Sequence, residues 1–319
     1  MQTLRGYVTR PYAGSSDLPG MVDVINAVRR RDGTDEVATV PDMAQQYEHL
    51  QRCDPATDIL VAEADATIVG YARTVWEDVS EGYRVYWTVV EAHPDHPAVE
   101  DWLFDWVESR AVANASTHPA GDKRLANWAD ESTPRAKILR ERGYVAVRYG
   151  ATLVRPNLDD IPDLPLPDGV EVRPVLDAQL RQIWEADVEA FRDHRGYVEQ
   201  TETDWEAWLD FPNFDPSLWQ VAWAGDEVVG QVRSFIDPAE NETFDRLRGW
   251  TEFISTARGW RRMGIAGSLI ASSLTVLRER GMTEAALGVD TENPSGALRL
   301  YESLGFVRTD LYGDYEKPI

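Results

Sequence analysis

Cysteine is almost absent from this chain of 319 residues. Cys53 stands alone, which excludes an intrachain disulfide and any thiolate-rich metal site. Lysine is nearly as scarce, with only Lys123, Lys137 and Lys317, so almost every cation is an arginine. Positive charge as a whole is short: 32 Lys and Arg against 55 Asp and Glu leave a formal net charge of -23. Nonspecific binding to nucleic acid or to anionic lipid needs basic patches, so neither partner is expected. No apolar run approaches the roughly 18 residues of a membrane span. The opening MQTLRGYVTRPYAG lacks the basic segment followed by an apolar one that marks a signal peptide, and a cytoplasmic location is expected. His93 and His96 in HPDHP have metal-like spacing but no further ligand cluster nearby, so no metal is expected.

What is present is ordinary for a globular protein, 43% hydrophobic and 27% charged, at a length that accommodates two domains. Between them lies RPNLDDIPDLPLPDG (155–169), with four prolines, four aspartates and no helical period, which reads as an extended linker. The expected organisation is a first domain over 1–156, a linker over 157–168 and a second domain over 169–319. The halves resemble one another. VAEADATIVGYAR (61–73) and VAWAGDEVVGQVR (221–233) share Val, Ala, Ala, Val, Gly and Arg at a constant offset of 160, each reading as strand, turn and strand. RAKILRERGYV (135–145) and ALRLYESLGFV (297–307) match at an offset of 162, each a short helix ending at glycine and entering a strand. An internal duplication follows. In the second half, GVEVRPV (169–175) predicts a strand, 177–194 an amphipathic helix, GWTEFIST (249–256) a strand, and EAALGVD (284–290) another. Apolar residues at Ile265, Leu269, Ile270, Leu274 and Leu277 predict a helix between the last two. Hairpins mixed with a strand, helix, strand crossover predict a mixed α/β or α+β sheet.

The sharpest local feature is ARGWRRMGIAGSLI (257–270), a cationic, glycine-containing turn at a helix start in an acidic protein. A strand ending at Thr256 and a helix starting near Gly264 leave several backbone N–H groups unpaired at a helix N-terminus, a site suited to an anion. Gly264, Ala266 and Gly267 keep the approach open, and Arg261 and Arg262 add charge. The spacing is neither that of a Walker loop nor that of a dinucleotide fold.

ISTARGWRRMGIA, followed after a helix and a strand by VDTENPSGALRLYESLGF, resembles the GCN5-related N-acetyltransferase (GNAT) family over most of 169–319. The resemblance implies two tandem GNAT-type folds, each a mixed, mostly antiparallel twisted sheet flanked by helices. It implies acetyl-CoA as cosubstrate and transfer of the acetyl group to a primary amine of a small molecule. The loop 261–267, with Arg261, Arg262, Met263, Gly264, Ile265, Ala266 and Gly267, would hold the pyrophosphate. Ile254, Ser255 and Thr256 would line a gap between splayed strands that takes the pantetheine arm, and Asn293 and Ala297 would lie along its thiol end. Tyr301 would protonate the leaving thiolate. Glu252 is the first candidate for the base, with Asp193 and His194 placed in the region that lines the acceptor pocket. Trp205, Trp208, Trp219, Phe191 and Phe211 serve either that pocket or core packing.

The first half lacks these features. Counting from the shared hairpin, Glu100 and Trp102 stand opposite Gly264 and Ala266, and Leu139 stands opposite Tyr301. It reads as a GNAT-like domain that has lost its active site, left with a supporting role or a homodimer contact. The competing reading of the whole chain is a noncatalytic CoA-binding or scaffold protein, and the pairing of Tyr301 with an open loop argues against it.

Overall fold

The computed structural model describes residue 4 and residues 6–292 and 296–319. The chain divides into two compact units. Unit 1 holds Met1–Val147, Thr201–Pro212 and Gly313–Ile319, and unit 2 holds Arg148–Gln200 and Asn213–Tyr312.

Unit 1 runs β1 (Val8–Pro11), α1 (Leu18–Asp32), α2 (Val40–Glu48), α3 (Pro55–Asp58), β2 (Ile59–Ala64), β3 (Thr67–Asp78), β4 (Arg84–Ala92), α4 (Pro97–Thr117), β5 (Lys123–Asp130), α5 (Pro134–Glu141) and the start of β6 (Val145–Arg155). Its strands are ordered β1-β2-β3-β4-β5, antiparallel except for the parallel pair β4 and β5. That parallel pair needs a crossover, which α4 supplies. Val99, Leu103, Phe104 and Val107 of α4 pack on Ala62, Val69, Ala72 and Val90 of the sheet, and Leu139 closes the same core with no exposure.

Unit 2 continues through the rest of β6, then β7 (Glu171–Arg173), α6 (Leu180–Phe191), β8 (Gln220–Ala224), β9 (Glu227–Phe235), α8 (Pro238–Thr243), β10 (Arg248–Thr256), α9 (Ile265–Glu279), β11 (Glu284–Asp290), α10 (Ala297–Ser303) and the first part of β12 (Val307–Pro318). The helix α7 (Glu202–Leu209), which intervenes in sequence before β8, belongs to unit 1, as do the last residues of β12, beside β5. The sheet of unit 2 is ordered β12-β6-β11-β10-β9-β8-β7, with β10 and β11 parallel around the α9 crossover. Its remaining registered pairs are antiparallel. The five apolar positions predicted for α9 are each at most 1% exposed and form the core with Ala222, Val229, Val232, Ala285, Leu287 and Val289.

The glycine shared by the two halves has one physical reason. A Cβ on Gly70 would meet Leu103 and Val99 of α4 at 2.9 Å, and a Cβ on Gly230 would meet Ile265 of α9 at 2.8 Å. In each unit the crossover helix lies directly on that strand, and only glycine leaves room. The Pro- and Asp-rich stretch is irregular but anchored within unit 2: Leu158 is buried, the Pro165 carbonyl accepts from Ser268 Oγ at 2.9 Å, and Arg278 donates to the Leu158 carbonyl. Among the described residues, no helix is long and apolar enough to cross a membrane.

Candidate functional site

Pairing between β10 and β11 runs from Arg248 to Trp250 opposite Glu284 to Ala286 and ends there. Immediately beyond, β10 carries a bulge: Glu252 faces Arg233 and Ser255 faces Gln231, so three steps on β10 match two on β9. Phe253 absorbs the extra residue with φ +50°, an uncommon conformation for a bulky side chain. A bulge bends the strand, and Ser255 and Thr256 remain paired to β9 while the edge of Ile254, Ser255 and Thr256 toward β11 has no partner there. An opening between two parallel strands with unpaired backbone donors and acceptors can accept an extended ligand as if it were a strand.

Glu252 sits at the head of this opening. Its Oε1 accepts the Gly288 N–H at 2.6 Å, across the point where the strand ladder has ended. A Cβ at Gly288 would stand 3.4 Å from that oxygen. Burial pushes the Glu252 carboxyl up to about 7, with the N–H groups of Gly288 and Phe253 pulling the other way. Such a carboxyl exchanges a proton near neutral pH, as a general base must. Tyr301, on α10, is 6% exposed and packs edge-on to Phe306. Burial first, then the charge of Glu252, raises its phenol above the usual range, so it remains protonated at neutral pH and feels the same carboxylate. Ala297 opens α10 and packs at the margin of the core, whereas Asn293 lies outside the described residues.

The turn into α9 passes through Arg262 at φ +65° and Gly264 at φ +87°. The first intrahelical bond is Ser268 N–H to the Gly264 carbonyl, so the N–H groups of Ile265, Ala266 and Gly267 have no acceptor within the helix. No side chain caps this end and the first turn has no acidic residue. A Cβ on Gly264 would meet open space, whereas one on Gly267 would stand 3.5 Å from Leu164 and Leu300. Gly267 and the fully buried Ile265 can therefore offer only backbone. Met263 is exposed, and so is Arg262, which among the described residues has no carboxylate partner.

Arg261 is used differently. Its guanidinium donates to Asp193 at 2.7 and 3.1 Å, to the Ala190 carbonyl at 2.8 Å and to the Thr256 carbonyl at 3.3 Å, tying the loop to the end of α6. Asp193 is held below the usual carboxylate range mainly by this bond. The pair is partly exposed, which limits it to under about 1 kcal/mol. Asp193→Asn should therefore cost less than that in urea unfolding, and the difference from wild type should shrink at high salt, where surface ion pairs are screened. His194 packs against Phe191, and burial lowers its pKa, so its ring is neutral at physiological pH.

Sequence reasoning missed the buried pair beneath the bulge. Arg233, 4% exposed, donates to Asp187 of α6 at 2.5 Å and lies 4.4 Å from the centre of the Phe253 ring. The arginine repeated in both halves was its one visible trace. Trp205 and Trp208 stack on each other in unit 1, whereas Trp219 is buried against Phe214 in unit 2. In unit 1, the helix corresponding to α9 is α4, which follows His96 with no side-chain cap bond and has Pro97 in its first turn. Val99 and Leu103 meet Gly70 as Ile265 and Leu269 meet Gly230, so the residues opposite Gly264 and Ala266 are Ala98 and Glu100, not Glu100 and Trp102. The loop before α4 has four residues (93–96) where that before α9 has eight (257–264), which displaced the count. Proline removes a donor and Glu100 adds negative charge to the first turn, so this end does not suit an anion.

The model of the acetyltransferase (GNAT) family matches residues 179–306. A mycothiol acetyltransferase of Salinispora tropica is 30% identical over 269 residues, 82% of each chain. That of Salinispora arenicola is 29% identical over 308 residues, 94% of each. Among solved structures, a GCN5-related N-acetyltransferase from Sphaerobacter thermophilus superposes with a TM-score of 0.73 at 24% identity, covering 99% of this chain and 97% of that one. A tandem GNAT protein from the clavulanic acid biosynthesis pathway gives 0.66 at 13% identity over 98% of both.

Proposed function

Because the chain belongs to the acetyltransferase (GNAT) family, we propose that unit 2 moves an acetyl group from acetyl-CoA to a primary amine of a small molecule by direct attack on the thioester. The observation that carries this reading is the coincidence, in one unit, of the uncapped α9 N-terminus, the opening beside Ile254, Ser255 and Thr256, and the Glu252–Tyr301 pair at its head. The N–H groups of Ile265, Ala266 and Gly267, with the charge of Arg262, fit a pyrophosphate, and the unpaired edge of β10 fits the amides of pantetheine. Glu252 takes a proton from the incoming ammonium. The amine nitrogen then bonds to the carbonyl carbon, the carbon–sulfur bond breaks, Tyr301 gives its proton to the departing thiolate, and the second proton that the nitrogen sheds as it becomes an amide restores the phenol. Backbone N–H groups near Ile254 supply the donors for the carbonyl oxygen.

The acceptor is a cationic small molecule on this account, consistent with a net charge of -23. The mycothiol acetyltransferase relatives favour an acceptor of the kind their name implies, since the likeness runs through both halves of the chain. The test is CoA release from acetyl-CoA over a panel of amino sugars, their cysteine conjugates, polyamines and peptide N-termini. With the best acceptor, Tyr301→Phe should lower kcat by about a hundredfold with the acetyl-CoA KM changed by no more than a few fold, the pattern of a lost proton donor. Release that no amine accelerates would support the scaffold reading.

A further inference from the structure

The arginine shared by the two halves occupies equivalent strand positions, Arg73 on β3 and Arg233 on β9, and its surroundings differ sharply. In unit 2 the buried guanidinium of Arg233 meets the Asp187 carboxylate, and its register partner on β10 is Glu252. In unit 1 Arg73 is only 8% exposed, and its register partner on β4 is Val89. The face of the sheet on which it lies is covered by Met21, Val22 and Ile25 of α1 and Met43 of α2, all apolar. The nearest carboxylate along β4 on this face, Glu91, is paired to Arg135 at 3.2 Å. Among the described residues, Arg73 has no ion pair, and its Nε and Nη1 are buried without an acceptor. The Tyr47 ring lies 5.0 Å from the guanidinium, and its hydroxyl is likewise buried without a partner.

Two orphaned donors, one of them charged, therefore stand together in a protein interior. A buried cation is strongly unfavourable without a negative partner, and attraction to an aromatic ring compensates only in part. Cys53 lies within electrostatic reach of Arg73 and Tyr47, and Tyr47 and Cys53 are each only half-buried, which places the cluster under the irregular loop 49–54 rather than at the centre of the unit. We propose that unit 1 holds a binding site for a small carboxylate, in which Arg73 supplies the charge and N–H donors and the Tyr47 hydroxyl supplies a further donor. One guanidinium matches one negative charge, whereas a phosphate dianion would leave excess negative charge in a chain already at -23.

The test is thermal unfolding of the full chain at constant ionic strength with sodium acetate, sodium propionate or inorganic phosphate, against a chloride control. Wild type should melt higher with a carboxylate, by roughly 5–10 °C at a hundredfold excess over the Kd, and less with phosphate. Arg73→Met should melt no lower than wild type without added anion, because an uncompensated charge is removed, and should lose the carboxylate-dependent rise. Arg73→Lys should keep part of that rise, and Tyr47→Phe should reduce it. The proposal is overturned if no carboxylate raises the wild-type melting temperature, if the rise persists in Arg73→Met, or if that variant melts well below wild type, which would make Arg73 structural. A larger rise with phosphate would overturn the assignment to a carboxylate. None of these readouts depends on acetyl transfer.

Discussion

Glu252→Gln should lower kcat/KM by about 10²–10⁴-fold, the range for loss of a positioned general base, and should remove the acid limb of its pH profile. With the carboxyl at about 7, wild-type kcat/KM should fall tenfold per unit as pH drops below that value, and any limb due to the amine should survive the substitution. Stability gives an independent readout. The folded-state value lies above the ordinary 4.5, so the folded chain holds this proton more tightly than the unfolded chain does. The stabilisation is complete below about 4.5 and is lost as pH rises through about 7. Glutamine has no proton to lose. The variant should gain on wild type between pH 5 and pH 8 by up to about 3 kcal/mol, measured by denaturant unfolding at each pH. A gain in stability with a loss of activity is the mark of a group held desolvated for chemistry. Equal losses at both pH values would assign Glu252 a structural role.

Gly264→Glu should abolish measurable acetyl-CoA binding. A Cβ there meets open space, so the new carboxylate would stand before the α9 N-terminus, taking up the free N–H groups and repelling a pyrophosphate. Losing two charge-assisted hydrogen bonds, at about 1.5–3 kcal/mol each, weakens binding by at least about a hundredfold. Gly264→Ala separates this from backbone strain. Its Cβ also meets no neighbour, so the positive φ should cost about 1 kcal/mol of stability while acetyl-CoA affinity stays within a few fold. Calorimetric titration of both variants checks the pair. Equal loss in both would point to the loop conformation rather than to the anion site.

The fold was legible wherever local pattern and burial agree. The period of Ile265, Leu269, Ile270, Leu274 and Leu277 located α9 because one face of that helix is wholly buried, and 284–290 read as a strand that ends where β11 ends. The shared glycine pointed to a duplication, but its cause, a helix lying on the strand, appears only in three dimensions. The bulge at Phe253 carries no glycine or proline to announce it, so the opening of the sheet came from family resemblance rather than from the residues. The Arg261–Asp193 bond joins positions far apart in sequence, and both had been given to ligands rather than to each other. Loop length is what moved the register of α4, since an offset measured on hairpins cannot see a shorter connection elsewhere.

The most direct test of the account is amine-dependent CoA release by wild type and by Glu252→Gln across pH 5.5 to 9. The account predicts that a small primary amine accelerates release, that wild-type kcat/KM rises with pH through about 7, and that the variant shows neither the rate nor that limb. A variant as fast as wild type with the same pH profile would contradict it.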